Sequence, residues 1–300
     1  MTLAPILLFV YDRPYHTKQT VEALQKNEFS SESELFIYSD APKNEEVQES
    51  VAEVRAYIKQ IDGFKKVTII EREKNRGLAN SIIDGVTKIV NEYGKVIVLE
   101  DDLVTSPFFL RFMNDALVFY ESNKQVWSIT GFTYPLKIKN YAFSTYLYER
   151  ASSKSWAIWK DAWNKIEFRE DKIIEKYHLD SLALHLLPYG KDLYKMFLYQ
   201  LDKKINSWGI RFTINQIMEN KYTVYPCCSF VKDIGDDIGT HAKRSLSHKV
   251  QLCNIYERCF TLTYDLHIAK AYQRYLQTYF FVSKLYAFKN KLYRLMGVKV

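Results

Sequence analysis

Three consecutive carboxylates are the most chemically suggestive feature of the sequence. Glu100-Asp101-Asp102 directly follows the apolar run Val96–Leu99. Adjacent carboxylates repel one another, and a hard divalent cation such as Mg²⁺ or Mn²⁺ relieves that repulsion. Such a cation usually completes its coordination shell with water and substrate phosphates. The motif therefore favours a metal site for a phosphorylated ligand, and an exposed acidic turn is the alternative.

Charged residues also follow three other short apolar runs. Arg13 follows the first run, Asp40 the second, and Arg72 and Arg76 the third. Guanidinium groups bind phosphate and orient carboxylates, so the arginines suit a site for an anionic ligand. Asp40 is placed to accept a hydrogen bond from a ribose hydroxyl or a base N–H, and a helix or turn cap is the alternative interpretation.

The apolar runs alternate with helical patterns through the first 130 residues. The runs predict strands at Pro5–Val10, Leu35–Tyr38, Val67–Ile70 and Val96–Leu99. The amphipathic segments between them predict helices at Tyr15–Lys26, Glu45–Ile61 and Leu78–Tyr93. This alternation is typical of a mostly parallel sheet with helices on both faces. Ligands bind such sheets at the carboxyl ends of the strands, so we expect the four charged junctions to line one crevice.

The rest of the sequence is less regular. Further helices are predicted at Pro107–Tyr120, Lys191–Asp202 and Trp208–Asn220. Further strands are predicted at Trp127–Thr130, Phe143–Tyr148 and Tyr222–Tyr225. A loop rich in Gly and Asp spans Lys232–His241.

Composition and charge exclude several classes of protein. With 47% hydrophobic and 26% charged residues, the 300-residue chain is typical of a folded protein with a sizeable core. The net charge of +7 equals the seven basic residues that follow Asp265, so a uniformly basic nucleic-acid binder is not expected. All four cysteines follow residue 226 without zinc-knuckle spacing or a disulfide framework, which favours a reducing cytoplasm. We expect neither a signal peptide nor a membrane span.

The motifs together resemble a known family. The segments FVYDRPYHT, YSDAPKN, NRGLANSI and VIVLEDDLVTSPFFLRFMN resemble the nucleotide-sugar-binding half of GT-A glycosyltransferases. The similarity is greatest to bacterial polysaccharide transferases like those of the N-acetylglucosaminyltransferase I group. It continues through SSKSWAIWKDAW, NSWGIRF and YPCCSFVKDIGDDIGTH, and so covers about residues 3–242.

The resemblance implies a fold and an activity. The fold would be α/β, a GT-A (Rossmann-like) mixed, mostly parallel sheet flanked by helices. Residues 1–130 would form the nucleotide-sugar-binding half, residues 131–248 the acceptor-binding half, and residues 249–300 a basic helical tail. The activity would be metal-dependent, inverting transfer of a hexosyl or N-acetylhexosaminyl group. The donor would be a nucleotide sugar such as a UDP-sugar, and the acceptor a glycan or lipid-linked saccharide in polysaccharide biosynthesis.

The resemblance also implies metal ligands. Asp102 would bind Mn²⁺ or Mg²⁺ directly. Asp101 would contact the ribose or a metal-bound water, and Glu100 would support both from behind. His241 matches a late histidine that approaches the metal or the diphosphate in many GT-A enzymes, and a structural histidine is the alternative.

The nucleotide would contact the other strand ends. Asp40 would bind the uracil or ribose, and Arg13 would lie at the mouth of the nucleotide site. Arg72 is a further candidate for phosphate or carboxylate contacts. The turn that contains Arg76 would lie against the nucleotide, with a helix N-terminus available to polar groups of the donor.

The position of the catalytic base departs from the family pattern. Inverting transfer needs a base that takes the proton of the acceptor hydroxyl. The matching residue is Asn206, which cannot act as a base, so Asp202, Asp236 or Asp237 would have to substitute. Trp208 would line the acceptor pocket, where a sugar ring can stack on an indole. Two alternatives stay open: a nucleotidyltransferase, and a nucleotide-sugar-binding protein without catalytic activity.

The last part of the chain suggests a membrane contact. Basic residues are interspersed with aromatic residues from 268 to 300, as in a helix that lies on anionic lipid. We therefore predict a cytoplasmic protein that associates peripherally with the inner face of the membrane. Packing of this helix on the domain or on a second subunit is the alternative.

Overall fold

The computed structural model describes residues 2–136, 138–235 and 250–278. The strands within these ranges are Ile6–Val10 (β1), Glu34–Ser39 (β2), Lys66–Glu71 (β3), Lys95–Glu100 (β4), Leu103–Thr105 (β5), Val126–Thr130 (β6), Thr145–Tyr148 (β7), Trp156–Trp159 (β8), Tyr222–Pro226 (β9) and Val231–Asp233 (β10). The α-helices are Pro14–Gln25 (α1), Gln48–Ile58 (α2), Leu78–Tyr93 (α3), Phe109–Phe119 (α4), Lys160–Trp163 (α5), Glu170–Tyr177 (α6), Leu179–Leu186 (α7), Lys191–Leu201 (α8) and Trp208–Met218 (α9). Residues 266–278 are also helical, and short 3₁₀ helices occur at Ser30–Glu32, Glu45–Val47 and Leu187–Tyr189.

Eight strands form one mixed sheet in the order β3-β2-β1-β4-β8-β6-β9-β7. The first four strands in this order run parallel to one another, so their carboxyl ends share one edge. β8 runs antiparallel to β4 and β6, and β7 runs antiparallel to β9. Every residue of β1 is buried, as expected for a strand covered by helices on both faces. The predicted mixed, mostly parallel sheet flanked by helices is confirmed.

The helix over Leu78–Tyr93 is confirmed as α3, and its sequence explains both of its ends. Gly77 precedes the helix with a φ of 73°, and Gly94 ends it with a φ of 81°, conformations that glycine adopts at little cost. Buried apolar residues recur at helical spacing along one face of the helix. They pack against β1, β2 and β4.

Three short strands (β5, β8 and β10) and three short α-helices (α5, α6 and α7) are not predicted by the sequence. β5 and β10 form a separate antiparallel pair. Each strand has only three residues, and its partner lies far away in the chain, so no local periodicity indicates the pairing. α6 and α7 are eight residues each and meet at His178, whose φ of 58° breaks the helical path.

Two apolar clusters cover the two faces of the sheet. One of them contains a stack of indoles: the ring of Trp156 lies 4.8 Å from that of Trp208 and 5.6 Å from that of Trp163. All three side chains are buried. These rings therefore fill the core between the sheet and α9.

The C-terminal helix at residues 266–278 packs on the sheet through four buried side chains, Ile268, Ala269, Tyr272 and Leu276. Tyr272 contacts the rings of Tyr146 and Tyr148 on β7. Residues 268–278 therefore pack on the domain, the alternative that the sequence left open. Residues 279–300 of the predicted basic tail lie outside the described ranges. In the part of the chain that the structure describes, no helix is long and apolar enough to cross a membrane.

Candidate functional site

The three consecutive carboxylates lie where β4 ends and the chain turns into β5. Glu100 is the last residue of β4, and Asp101 and Asp102 form the turn. Thr20 of α1 holds this turn, because its hydroxyl donates to the carbonyl oxygen of Asp101 (2.8 Å). Asp101 is only 3% exposed. The carboxylates are thus fixed at the carboxyl edge of the parallel strands.

Arg13 bridges two of these carboxylates. Its Nη2 lies 2.6 Å from Asp101 Oδ1, and its Nη1 lies 2.9 Å from Asp102 Oδ2. Pro14 begins α1, a position where proline is favoured, so the start of the helix places Arg13 directly after β1. Because β1 pairs in parallel with β4, the first and fourth junctions meet, as the sequence predicted.

Burial makes these carboxylates difficult to ionise. It raises the pKa of Glu100 to about 8, and the charges of Asp102 and Asp101 add to the increase. Burial also raises the pKa of Asp101 to about 7, although the charge of Arg13 opposes the change. The pKa of Asp102 is raised by burial as well, again against the charge of Arg13. One guanidinium is therefore insufficient to neutralise the cluster, and the donor set suits an additional hard cation.

A second strand brings a fourth carboxylate beside the cluster. β10 pairs with β5 so that Asp233 lies opposite Leu103. The N–H of Ile234 donates to the carbonyl oxygen of Asp102 (2.9 Å). A Cβ on Gly235 would collide with the Asp102 carboxylate, so a larger residue here would displace that carboxylate from its present position.

Lys154 pairs with this fourth carboxylate from the loop between β7 and β8. Its Nζ lies 2.6 Å from Asp233 Oδ2 and 4.8 Å from the centroid of the Phe132 ring. Two further charges affect the pKa of Asp102, less strongly than burial and the charge of Arg13 do. Asp233 raises this pKa, and Lys154 lowers it. The sequence does not predict either residue as part of the site, since both lie far from Asp102 in the chain. The sequence signal that could have pointed to them is that Lys154 lies inside the motif SSKSW and Asp233 inside the motif VKDIGDD.

Asp40 forms the turn cap that the sequence left open as an alternative. Its carboxylate accepts hydrogen bonds from the backbone N–H groups of Ala41 (2.9 Å), Arg76 (3.0 Å) and Gly77 (2.9 Å). The side chain thereby connects the end of β2 to the start of α3. Asp40 is 8% exposed. Any contact with a ribose or a base stays a prediction.

Arg72 and Arg76 lie at the end of β3, apart from the acidic cluster. Both contact Asp84 of α3, and the guanidinium of Arg72 also lies 5.2 Å from the centroid of the Tyr38 ring. Two strands separate β3 from β4, which corresponds to about 14 Å at the usual strand spacing. The structure therefore does not bring these arginines to the carboxylates, but places them along the same edge of the sheet.

Asn206 is exposed and precedes α9. Its Oδ1 accepts a hydrogen bond from Arg211 Nη2 (2.8 Å), and Arg211 also pairs with Glu170 (3.1 Å). Gln200 extends this network, since its Nε2 donates to Glu170 (2.7 Å) and its Oε1 accepts from the backbone N–H of Ser207 (2.7 Å). The segment at the predicted base position is therefore fixed by polar contacts.

Trp208 does not offer its ring to a ligand. The side chain is 4% exposed and stacks on Trp156 in the core. Its expected role of stacking on an acceptor sugar is not supported by this placement, because the indole face is already covered. The start of α9 does lie close to the candidate site: a Cβ on Gly209 would be 3.9 Å from Ser153, which precedes Lys154.

The remaining predicted site residues, Asp237 and His241, lie outside the described ranges, as does Asp236. Among residues 2–136, 138–235 and 250–278, no group of three His, Cys, Asp or Glu side chains forms a metal-binding arrangement. The cluster around Asp102 still fits Mg²⁺ or Mn²⁺, because these ions often take one or two protein carboxylates and complete their shell with water and phosphates.

No family model matches the sequence. No curated protein matches it either. The resemblance to the N-acetylglucosaminyltransferase I group therefore stays a prediction.

Several solved structures are similar to this chain. The mannosyltransferase PcManGT from Pyrobaculum calidifontis, in complex with GDP-Man and Mn²⁺, is 12% identical with a TM-score of 0.37, over 58% of this chain and 48% of that chain. S. aureus TarS 1–349 is 12% identical with a TM-score of 0.41, over 76% of this chain and 59% of that chain. Mouse xyloside xylosyltransferase 1 is 13% identical with a TM-score of 0.37, over 72% of this chain and 82% of that chain. The chain thus covers about half of the first protein and less than two thirds of the second. Similarity this low carries no argument about activity.

Proposed function

We propose that this chain is a metal-dependent glycosyltransferase that uses a nucleotide-sugar donor of the UDP type. The observation that carries the proposal is the pair Asp101 and Asp102, bridged by Arg13 at the carboxyl edge of the parallel strands. Open α/β sheets bind ligands at this edge. The order of sequence motifs, which resembles that of GT-A glycosyltransferases, supports the same assignment.

Asp102 would hold Mn²⁺ or Mg²⁺, with Asp101 oriented beside it by Arg13. His241 is a second candidate ligand on the basis of its motif. A divalent cation bound here supplies positive charge to the leaving diphosphate. Arg13 holds the carboxylates in position, and the buried turn between β4 and β5 limits their movement.

The nucleoside would lie along the ends of β2 and β3. Asp40 fixes the turn at Arg76 and Gly77, and this turn starts α3. The start of a helix favours polar and anionic groups. Arg72 and Arg76 lie at the same edge of the sheet and would contact the outer part of the nucleotide.

Inverting transfer would require a base other than Asn206. The Asn206 side chain has no proton-accepting group of suitable pKa, and its amide oxygen already accepts a hydrogen bond from Arg211. Asp237 is the proposed base, because it belongs to the same loop motif as His241. Asp202 is less suitable, since its carboxylate pairs with Lys204 (2.8 Å).

The proposed acceptor is a glycan or a lipid-linked saccharide on the cytoplasmic side of a membrane. The basic and aromatic segment at residues 279–300 would hold the protein at anionic lipid. The four apolar side chains of residues 268–278 that pack on the sheet are not available for this contact. The membrane contact is thus assigned to a shorter segment than residues 268–300.

A second candidate function is nucleotide-sugar binding without transfer. The observation that favours it is Asn206, which replaces a carboxylate at the expected base position and is held by Arg211. A thermal-shift screen of UDP- and GDP-sugars with and without Mn²⁺ tests both candidates. A ligand that binds the folded state raises the melting temperature as its concentration exceeds its Kd.

The donor that stabilises the protein should then be assayed for turnover. The glycosyltransferase proposal expects release of the nucleoside diphosphate that requires Mn²⁺ or Mg²⁺. Metal-dependent binding without any release would favour the second candidate. If no nucleotide sugar stabilised the protein under either condition, both proposals would be wrong.

A further inference from the structure

The ion pair between Lys154 and Asp233 lies near Asp102, and the proposed function does not use it. Both side chains are mostly buried, with exposed fractions of 25% for Lys154 and 15% for Asp233. The carboxylate of Asp233 is held on its other side, because its Oδ1 accepts from the N–H of Gly235 (2.8 Å). The pair is therefore a built feature and not a mobile surface contact.

Two different parts of the chain hold this pair next to Asp102. β10 places Asp233 opposite the start of β5. The backbone carbonyl of Lys154 accepts a hydrogen bond from the hydroxyl of Thr130 (3.0 Å), at the end of β6. Residue 235, two positions after Asp233, lies directly against the Asp102 carboxylate. The Lys154 ammonium and the Arg13 guanidinium are thus both near Asp102 but come from opposite halves of the chain.

In the proposed function, the anionic ligand for the Lys154 ammonium beside Asp102 is the diphosphate of the donor. A nucleotide sugar carries a diphosphate, and lysine binds phosphate as a mobile point charge on a flexible stem. Asp233 can keep that charge at the site while no donor is bound. Without such a partner, burial of a lone ammonium would be unfavourable.

We propose that Lys154 is a diphosphate-binding residue of the donor site, held in place by Asp233 until the donor binds. The ammonium then moves from the Asp233 carboxylate to a phosphate oxygen. This inference rests on the proposed function and extends it by naming the cation that recognises the diphosphate. No bond is made or broken in this exchange, and the protonation of Lys154 does not change.

Calorimetric titration of the full chain with UDP in the presence of Mn²⁺ tests the inference, with GDP as a second probe. Lys154→Met should weaken binding of the nucleoside diphosphate by about tenfold, equivalent to about 1.4 kcal/mol. Binding of the corresponding nucleoside, which lacks phosphate, should change by less than about twofold in the same variant. Lys154→Arg should retain most of the affinity because it keeps the positive charge.

A purely structural role for Lys154 makes a different prediction. In Lys154→Met the unpaired Asp233 would itself repel a diphosphate, so a loss of affinity alone does not prove direct contact. The double variant Lys154→Met with Asp233→Asn removes this repulsion. We expect the double variant to recover only part of the affinity that Lys154→Met loses, because the direct contact is still missing, whereas full recovery of affinity would overturn the inference.

Lys176 provides a matched control. Its Nζ also pairs with a carboxylate, Glu219 (2.7 Å), and lies 4.8 Å from the centroid of an aromatic ring, that of Tyr177. Lys176→Met should leave UDP affinity unchanged. Equal affinity of Lys154→Met and the unmodified protein would overturn the inference alone. Failure of the unmodified protein to bind either nucleoside diphosphate would overturn the proposed function together with it.

Discussion

Among the residues that the structure describes, Arg13 and Lys154 are the basic side chains that pair with carboxylates around the β4–β5 turn. Arg13 contacts Asp101 and Asp102, and Lys154 contacts Asp233. Glu100 makes no ion pair that the structure records among the described residues. Its carboxyl group lies next to two aspartates and is desolvated, so the folded protein holds its proton to unusually high pH. This excess of acidic groups is the physical reason to expect a divalent cation here.

Glu100 should make the metal-free protein less stable at alkaline pH. Its pKa rises from an ordinary value of 4.5 in the unfolded chain to about 8 in the folded protein, chiefly through burial. The folded state therefore binds more protons than the unfolded state between these values, and stability falls as pH rises through this window. In Glu100→Gln the fall should be smaller, so the variant should melt above the unmodified protein at pH 8.

The measurement is a series of thermal melts from pH 5 to pH 9 in the presence of a chelator. Glu121, an exposed residue in the turn after α4, provides a control through Glu121→Gln, which should leave the pH dependence unchanged. Identical pH profiles for Glu100→Gln and the unmodified protein would show that Glu100 is not held protonated in the fold.

The elements around the site are connected by side chains that bind backbone groups. Asp40 links β2 to the start of α3, and Thr20 links α1 to the β4–β5 turn. These contacts fix the positions of the four strand ends relative to one another. The parallel register of β1, β2, β3 and β4 then places the candidate ligand-binding groups along one edge.

Removal of the Asp40 cap should destabilise the protein. Asp40→Ala leaves the partly buried N–H groups of Arg76 and Gly77 without their carboxylate acceptor, and the loss should be about 0.5–2 kcal/mol. Asp40→Asn should cost less, because one oxygen acceptor remains. Urea denaturation measures the free energy of unfolding directly. Asp161→Ala is the control, since Asp161 is exposed and makes only a long contact (3.9 Å) with Lys124.

The local elements of the first half were predictable from the sequence, whereas the contacts between distant segments were not. α3 and the strand that ends at Glu100 follow from apolar spacing and from flanking glycines, which are local signals. Asp233 reaches Asp102 only through the β5–β10 pairing, and three-residue strands carry no periodicity. Trp208 illustrates another limit: its sequence context fits a sugar-stacking residue and a core residue equally well, and only the packing on Trp156 distinguishes them.

Both halves of the described chain contribute strands to the eight-stranded sheet. β6, β7, β8 and β9 extend the parallel strands on the side of β4. Residues 250–264 contact the first half of the chain through hydrogen bonds. The hydroxyl of Ser106 donates to the carbonyl oxygen of Cys253 (2.6 Å), and that of Tyr120 donates to the carbonyl oxygen of Thr261 (2.6 Å). The C-terminal helix completes the packing on β7 and β9.

Residues 279–300 should be dispensable for folding but needed for binding to anionic membranes. A chain that ends at Thr278 keeps Ile268, Tyr272 and Leu276, which pack on the sheet, so its melting temperature should stay close to that of the full chain. Vesicles that contain phosphatidylserine should sediment the full chain at low salt but not the shortened chain. Equal sedimentation of both chains would contradict the membrane assignment of this segment.

Calorimetric titration of UDP into the protein, with and without Mn²⁺, tests the central claim about the β4–β5 turn most directly. We expect binding that requires Mn²⁺ in the unmodified protein. In Asp102→Asn this binding should weaken by at least about a hundredfold, because the direct carboxylate ligand is lost. Asp171→Asn, which alters an exposed ion pair with Arg169, is the control and should bind as the unmodified protein does. Unchanged, metal-dependent binding in Asp102→Asn would contradict the proposed site.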